Sequence, residues 1–430
     1  MDPKAGIAAL ILFSLIILNP AGAAQAGKRL WVLNQAGEIA EIDPSTWAVR
    51  SSIKLPSEIS RDTQGFAVNR HGQMLFCPNR EAGPIGPLQN TPFEKTWLWN
   101  GRKAFSIDRA AIPEPSIKAG INGEAIVDRR PRCGLSADGR NIYWFENEFR
   151  IHKSQDGVDI SSVSTIWGVY RSGLEGEKPA QIASFAFPAC NCGTGECSET
   201  CPEASFWFPE EGVGDFFLVT RWIPGQIGAT YESSSLFRSR DQGWSEHRLP
   251  KALEEVEDAA RGGASIIYRV LDGACCGWDN AGDDQTILYS DGRETVLFDE
   301  LKRYRNPNYD VSFFTSNARF SPDLRSIAMT ILSTAMPGNE IRLTDEGKPN
   351  PEELARIHKS IMDLPVIEVV RTDDPSKPIA VFRHATLVGW INHNEILMVE
   401  NGVLAAVDVF NGHRRISPVK VADESLVFLR

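Results

Sequence analysis

Several local motifs of enzymes and nucleotide-binding proteins are missing from this 430-residue sequence. It has no G-x-S-x-G nucleophile elbow, no phosphate-binding loop and no dinucleotide fingerprint. Its seven histidines are scattered, and none forms the H-x-x-x-H or HExxH pair that places two imidazoles on one helix face. The sequence therefore offers no local motif for a serine hydrolase, a nucleotide-dependent enzyme or a helix-borne zinc site.

Basic charge and long apolar runs are also scarce. The 56 acidic and 45 basic residues give a formal net charge of −11 at pH 7. Nucleic acids and anionic membrane surfaces select basic patches, so this balance argues against both as partners. Beyond residue 26, no run is apolar for long enough to form a transmembrane helix.

Helical periodicity is nearly absent. The best candidate is Pro351–Met362, where two glutamates follow the proline and Leu354, Ile357 and Ile361 fall on one face. A weaker helix is predicted for Lys251–Gly262, which ends on a glycine. Most of the chain therefore belongs to another structural class.

The first 26 residues have the features of a secretory signal peptide. Lys4 precedes an apolar run from Ile7 to Leu18, Pro20 ends that run, and Ala24-Gln25-Ala26 is an A-x-A cleavage pattern. We predict a cleavable signal peptide over residues 1–26, with an uncleaved N-terminal anchor as the alternative. Cleavage would release a periplasmic or secreted protein without an integral membrane segment.

Short runs rich in Val, Ile, Phe, Trp and Tyr recur along the chain, separated by polar turns. In the repeated unit, a turn with Asp or Asn and Gly joins two apolar strands, as in a β-hairpin. Four copies of this unit are found at 66–76, 133–144, 318–329 and 388–398. Two divergent copies are predicted at 206–219 and 276–288. This pattern predicts an all-β fold built from successive hairpins.

Two of these turns carry a family resemblance. Ser136–Arg140 (SADGR) and Phe320–Arg325 (FSPDLR) resemble the S-P-D-G-[KR] turn of TolB-like and WD-like β-propeller repeats, although Leu324 stands where the repeat has glycine. Leu30–Asn34 and the segments that follow it resemble the first blade of YVTN-type or surface-layer propellers. The resemblance implies a single β-propeller of six or seven four-stranded blades.

The predicted propeller domain spans residues 27–430, with loop insertions near 78–102, 188–204 and 333–365. The strand predicted at Glu424–Leu429 should pair with the N-terminal strand Lys28–Leu33, because such pairing closes a propeller and removes its exposed edges. A stack of two β-sandwiches is the alternative architecture.

All eight cysteines follow the predicted signal peptide, and an even number in an exported chain favours disulfides. Four of them form the C-x-C-x4-C-x3-C loop over 190–201, where zinc or a redox-active site is the alternative. The adjacent Cys275 and Cys276 either form a vicinal bond or, as we favour, bond separate partners, one of them in that loop. Cys77 and Cys133 pair across adjacent blades or stay buried as small apolar residues. The predicted disulfide cysteines are Cys77, Cys133, Cys190, Cys192, Cys197, Cys201, Cys275 and Cys276.

An acidic loop and an aromatic loop are further candidate sites. The acidic loop contains Asp272, Asp279, Asp283 and Asp284, which we predict to form a solvated turn; calcium is the alternative, because these oxygens suit it, although the spacing is not that of an EF-hand. No cofactor is predicted, and calcium or zinc is the metal that the acidic or cysteine loop would hold. Trp97 and Trp99, in the loop 78–102, form either an aromatic platform for a sugar or peptide or part of a loop folded onto the propeller.

Propellers serve both as binding modules and as enzymes, so the predicted fold does not decide the function. We predict a binding or protein-interaction module that takes a protein, small-molecule or carbohydrate ligand at its channel mouth or blade loops. The alternative is a lyase or glycosidase acting on an extracellular carbohydrate polymer. Such an enzyme needs paired carboxylates or a metal near the axis, to which histidines of different blades could contribute. A surface-layer structural protein is the third hypothesis.

Overall fold

The computed structural model describes most of the chain beyond the predicted signal peptide. The described residues are 28–33, 37–55, 65–68, 72–77, 97–100, 104–106, 117–120, 123–128, 134–136, 138–153, 160–173, 180–186, 190–191, 203–209, 216–225, 228–240, 243–271, 284–304, 308–336, 338–344, 347–421 and 426–429. No helix within these ranges is long and apolar enough to cross a membrane. The predicted signal peptide over 1–26 lies outside them.

The strands of the described residues form seven antiparallel sheets, numbered here along the chain. The first sheet contains β1 (Leu30–Leu33), β2 (Glu38–Ile42) and β3 (Val49–Lys54). The second contains β4 (Gly65–Val68), β5 (Met74–Cys77), β6 (Trp97–Trp99) and β7 (Ala104–Ser106). The third contains β8 (Ile117–Gly120), β9 (Gly123–Asp128), β10 (Gly134–Leu135), β11 (Asn141–Lys153), β12 (Ile160–Gly173), β13 (Ala180–Ala186) and β14 (Cys190–Asn191).

The remaining sheets each use consecutive strands. The fourth contains β15 (Glu203–Trp207), β16 (Phe216–Gly225), β17 (Gly228–Arg240) and β18 (Gly243–Arg248). The fifth contains β19 (Glu255–Ala260), β20 (Ser265–Leu271), β21 (Asp284–Ser290) and β22 (Arg293–Asp299). The sixth contains β23 (Phe313–Phe320), β24 (Ser326–Ser333), β25 (Val366–Arg371) and β26 (Ala380–Arg383). The seventh contains β27 (Ala385–Trp390), β28 (Glu395–Glu400), β29 (Val403–Asp408) and β30 (Arg414–Lys420).

A strand from the far end of the described chain completes the first sheet. β31 (Leu426–Leu429) pairs antiparallel with β1, so that the strand order is β3-β2-β1-β31. In this register Leu30 lies opposite Leu429 and Leu33 lies opposite Leu426. Both partners are apolar, which suits strands packed between neighbouring sheets.

Apolar clusters hold each sheet against the next. Trp390 and Leu387 of the seventh sheet pack against Ala328 and Ile367 of the sixth. The same kind of cluster joins the seventh sheet to the first, where Leu397 meets Leu30 and other aliphatic residues. Successive antiparallel sheets, most of them four-stranded and each packed on its neighbour, make this fold a β-propeller rather than a stack of sandwiches.

In six of the seven sheets, one strand contacts the corresponding strand of a neighbouring sheet. β4 contacts β10, β19 contacts β23, and β23 contacts β27, which in turn contacts β31. Sheets that radiate from an axis converge at their innermost strands. We therefore call β4, β10, β19, β23, β27 and β31 the inner strands.

The serine–aspartate turns fold as their sequences predict. At the β23–β24 turn, the Ser321 hydroxyl accepts a bond from Ser326 N at 2.9 Å and donates to Asp323 Oδ1 at 2.7 Å. Leu324 lies in the left-handed region, with φ of 61°, where the β10–β11 turn has Gly139 with φ of 70°. A leucine side chain is strained in this conformation, so this turn departs from the repeat at an energetic cost.

The two predicted helices have opposite outcomes. Pro351–Met362 is confirmed as α2 (Pro351–Asp363), where the Asn350 side chain accepts a bond from Glu353 N and Ile357 and Ile361 are buried. The prediction for 251–262 is wrong, because this segment forms β19 and a 3-10 turn at Arg261–Gly263. A short helix that the sequence did not predict, α1 (Glu300–Tyr304), links β22 to the sixth sheet.

The prediction that Trp99 forms part of an aromatic platform or a folded-down loop is also wrong. Trp99 lies in the strand β6, is 0% exposed, and meets Trp31 edge-on with ring centroids 4.7 Å apart. Its ring belongs to the core between the first two sheets. Most of the predicted loop 78–102 lies outside the described residues.

Candidate functional site

A cluster of charged side chains lies where the inner strand β19 begins. Glu255 is in register with Arg269 of β20, and Asp284 opens the next strand, β21. Arg269 Nη1 contacts Glu255 Oε2 at 2.9 Å, and its Nη2 contacts Asp284 Oδ2 at 3.0 Å. A third carboxylate, that of Glu257, lies 3.9 Å from Arg269 Nη1. One guanidinium thus holds carboxylates of two strands.

Arg269 is nearly buried, whereas Glu255 is not. Their side chains are 12% and 52% exposed, and the guanidinium lies 5.3 Å from the centre of the Phe314 ring of β23. A guanidinium withdrawn from water needs charged partners to offset its lost hydration. Arg269 is therefore a fixed anchor, and Glu255 is the member of this pair that solvent reaches.

Burial changes the acidity of the two inner carboxyl groups. It raises the pKa of Glu257 and that of Asp284, although nearby guanidinium groups act in the opposite direction on both. Asp284 Oδ1 and Arg269 Nε are buried without a hydrogen-bond partner among the described residues. The ion pair of Arg269 and Asp284 therefore leaves one donor and one acceptor unused.

The neighbouring carboxylates of β19 also join the fifth sheet to the sixth. Asp258 Oδ2 accepts a bond from Phe320 N at 2.9 Å, and Glu257 Oε2 accepts one from Ala318 N at 3.3 Å. The Arg319 side chain returns a bond to the Glu257 carbonyl oxygen. These bonds satisfy main-chain groups at the point where the two inner strands meet.

Each of the three inner strands β19, β23 and β27 carries an irregularity in its ladder. The register shifts between Val256 and Asp258, between Ser316 and Arg319, and between Leu387 and Gly389. A bulge leaves a main-chain group without its ladder partner and turns a side chain in a new direction. The bulge of β19 contains Glu257, which explains how this residue reaches β23 as well as Arg269.

Two aromatic side chains of the fourth sheet lie beside this cluster. Trp222 of β16 and Tyr231 of β17 have ring centroids 6.5 Å apart, and Trp222 Nε1 donates to Ser205 Oγ at 3.1 Å. Burial raises the pKa of Tyr231, and the charges of Glu254 and Glu255 raise it further. The hydroxyl of Tyr231 thus lies within the electrostatic reach of the carboxylates.

We call this group of side chains the acidic–aromatic cluster. It consists of Trp222, Tyr231, Glu254, Glu255, Glu257, Arg269, Asp284 and Phe314. Its carboxylates and aromatic faces can bind a polar or cationic group by hydrogen bonds, charge and ring contact. The buried anchor Arg269 fixes the exposed carboxylate before any ligand arrives.

The predicted metal candidates are only partly described. Asp284 is a member of the acidic–aromatic cluster, whereas Asp272, Asp279 and Asp283 lie outside the described residues. Within the part of the chain that the structure describes, no group of three His, Cys, Asp or Glu side chains is arranged to hold a metal ion. The solvated turn in the loop before Asp284, with calcium as its alternative, therefore stays a prediction.

The cysteines lie largely outside the described residues. Cys77 ends β5, and Cys190 opens β14, where it lies opposite Val163 of β12. The six cysteines that lie outside the described residues are Cys133, Cys192, Cys197, Cys201, Cys275 and Cys276. The predicted disulfides therefore remain predictions.

Sequence reasoning did not find the acidic–aromatic cluster. Its members come from separate strands, and the run Glu254–Asp258 lies in the segment whose sequence predicts a helix. In a regular extended strand, Glu255 and Glu257 would fall on the same side because side chains alternate, although the bulge at Glu257 interrupts this alternation in β19. That alternation was the available signal, and it becomes readable only when the segment is known to be a strand.

No family model and no curated protein matches the chain. Among solved structures, AztD from Citrobacter koseri is 10% identical, with a TM-score of 0.39 over 94% of this chain and 98% of that one. The putative TolB from Agrobacterium tumefaciens is 10% identical, with a TM-score of 0.30 over 94% and 98% of the two chains. The WD40 domain of SCAP from fission yeast is 10% identical, with a TM-score of 0.31 over 93% and 88%. Likeness this distant assigns no function to this chain.

Proposed function

We propose that this chain is an exported β-propeller that acts as a binding module, with its ligand at the acidic–aromatic cluster. The observation that carries the proposal is the Glu255 carboxylate, half-exposed at the start of an inner strand and held 2.9 Å from the buried Arg269. A binding group fixed in advance loses little freedom when the ligand arrives. Tyr231 and Trp222 provide aromatic surface next to it.

The proposed propeller has seven blades and is closed by the pairing of β31 with β1. Seven sheets among the described residues support the blade number. The apolar cluster between the seventh and first sheets supports closure, because it joins the two ends of the series. In such a ring the inner strands surround a central channel, and the start of β19 lies at one mouth.

Export is proposed from residues 1–26 and from the even number of cysteines. Expression of the full chain in a secreting host should give a product that begins near Gly27, as measured by intact mass. A non-reducing peptide map of this product should show the cysteines cross-linked. Retention of residues 1–26 would contradict cleavage. Free thiols together with bound zinc would contradict the disulfides and indicate a metal site instead.

Binding at the cluster is tested by thermal shift against a library of peptides, oligosaccharides and metal salts. A ligand that binds only the folded state raises the melting temperature according to its concentration and affinity. We expect wild-type protein to be stabilised by at least one compound, and a Tyr231→Ala, Glu255→Gln double variant to be stabilised less by it. Equal stabilisation of both proteins by every active compound would place the ligand elsewhere.

Hydrolysis of an extracellular carbohydrate polymer is a second candidate function. It is favoured by Glu257, whose raised pKa suits a general acid and which lies on the same strand as the half-exposed Glu255. Incubation with a panel of polysaccharides should then release new reducing ends, and Glu257→Gln should abolish the release. If wild-type protein released no such products, the hydrolase function would be wrong and the binding function would stay the proposal.

A further inference from the structure

We infer that the ligand of the acidic–aromatic cluster presents a cationic group, a guanidinium or an ammonium, and that Glu255 determines this specificity. The inference rests on the proposed binding function and names the chemical class of its ligand. The first support is charge, because the carboxyl groups of Glu255, Glu257 and Asp284 lie around Arg269 and outnumber the two guanidinium groups, of Arg269 and Arg319, that act on them. An added cation would reduce this imbalance.

The second support is the state of Asp284. This residue is 8% exposed, and its Oδ1 has no hydrogen-bond donor among the described residues, whereas its Oδ2 is bound by Arg269. A buried carboxylate oxygen without a donor is uncommon in folded proteins. The carboxylate is paired with Arg269 through one oxygen, and its other oxygen remains an unused acceptor for a donor that the ligand could supply.

The state of Arg269 argues against an anionic ligand. Its two terminal nitrogens already bind Glu255 and Asp284, at 2.9 and 3.0 Å, and its side chain is only 12% exposed. An anion would have to displace one of these carboxylates and would meet the others at close range. The group that faces solvent is instead the carboxylate of Glu255, which attracts the opposite charge.

The aromatic side chains suit the same class of ligand. Tyr231 and Trp222 are both partly exposed, and their rings lie next to each other on the β16–β17 hairpin. Cations bind the faces of aromatic rings, with tryptophan and tyrosine among the best partners. Tyr231, on which the charge of Glu255 acts, and the neighbouring Trp222 therefore suit a guanidinium or ammonium group.

Isothermal titration with four probes tests the inference on the mature full-length protein. The cationic probes are a tri-arginine peptide blocked at both ends and free spermidine; the controls are maltohexaose and a blocked tri-glutamate peptide. We expect the cations to bind, the controls not to bind, and added salt to weaken binding. Binding of the peptide alone would indicate a basic protein segment as the natural source of the cation, and binding of spermidine alone would indicate a free polyamine.

Two variants that each lose one negative charge show whether cation binding depends on Glu255. Glu255→Gln should weaken cation binding at least tenfold, whereas Glu400→Gln, which removes an equally charged partner of Arg414 in the seventh sheet, should leave it unchanged. Equal affinity of wild type and Glu255→Gln, or cation binding by neither, would overturn the inference. Binding of maltohexaose or tri-glutamate that is lost in the Tyr231→Ala, Glu255→Gln double variant would overturn the cationic class and keep the proposed binding function.

Discussion

The junction between the fifth and sixth sheets differs from the junction between the sixth and seventh. At the first, the carboxylates of Glu257 and Asp258 accept bonds from the main chain of β23. At the second, neutral groups make the contacts, since Trp390 Nε1 donates to Arg319 O at 3.1 Å and Leu387 N donates to Thr330 Oγ1 at 3.0 Å. Both junctions cross a bulge in an inner strand.

The comparison shows which contacts between neighbouring sheets the fold itself requires. Main-chain groups released by a bulge must find partners, and the second junction shows that an indole and a hydroxyl are enough. Carboxylates at the first junction cost more to bury, and burial raises the pKa of Glu257 there. Their bonds to main-chain groups of β23 offset part of this cost.

The largest effect is expected at the neutral junction. Trp390 is 2% exposed, and replacement by alanine removes a buried ring together with its bond to Arg319 O. Trp390→Ala should lower the free energy of unfolding by about 3–5 kcal/mol, as measured by urea denaturation. A loss below about 1 kcal/mol would show that the apolar packing of this junction contributes little.

A smaller loss is expected at the charged junction. Asp258 Oδ2 binds Phe320 N at 2.9 Å, and its Oδ1 binds Ala259 N at 2.9 Å. Asp258→Ala leaves these partly buried donors without that acceptor and should cost about 1–3 kcal/mol in the same denaturation experiment. A cost equal to that of Trp390→Ala would remove the proposed difference between the two junctions.

A substitution in the turn between β23 and β24 provides a reference for the unfolding free energies of the Trp390→Ala and Asp258→Ala variants, because this turn belongs to neither junction. Leu324 has a φ of 61°, in a conformation that glycine adopts without strain. Leu324→Gly should therefore raise the free energy of unfolding by about 1 kcal/mol, whereas Asp323→Ala in the same turn should lower it. Destabilisation by Leu324→Gly would mean that packing of the leucine side chain outweighs the strain.

The smallest effect is a change in pH dependence. The pKa of Glu257 in the folded protein is raised by burial above its ordinary value of 4.5. The ionised form is thus disfavoured in the fold, so this group makes the protein more stable as pH falls through the raised pKa towards 4.5, and less stable as pH rises.

Melting temperatures of wild type and Glu257→Gln, measured from pH 4.5 upward, check this sign. The difference should shift in favour of wild type as the pH falls, because only wild type takes up this proton on acidification. Asp284 is present in both proteins, so its own raised pKa cancels in the difference. A difference that is constant with pH would show that Glu257 has the same pKa in the folded and unfolded chain.

The hairpins of the fold could be predicted because their signals are local. Ser321 and Asp323 satisfy main-chain groups within a few residues, so their spacing identifies the turn without knowledge of the tertiary structure. The helix at 351–363 is local in the same sense, since Asn350 caps it and one face is apolar. Because the same hairpin unit recurs along the chain, its assembly into blades could be predicted as well.

The errors arose where distant partners decide the structure. The segment 251–262 has helix-forming residues, yet Glu255 and Asp258 find partners on β20 and β23 only when the segment is extended. The neighbours of Trp99, rich in Pro and Gly, predict a loop, whereas the ring of Trp99 packs against Trp31 in the core. For the same reason the candidate site, whose residues come from separate sheets, could not be predicted from spacing.

The pairing of β31 with β1 has a consequence for the order in which the protein is made. A ribosome completes Leu30–Leu33 before every other strand described here and Leu426–Leu429 after all of them. Until then one side of β1 has no neighbour, and such an exposed strand edge can recruit other chains. A nascent or truncated chain that ends before residue 426 therefore exposes an edge of β1 that β31 covers in the complete sheet, and it should aggregate and be proteolysed more readily than the full chain.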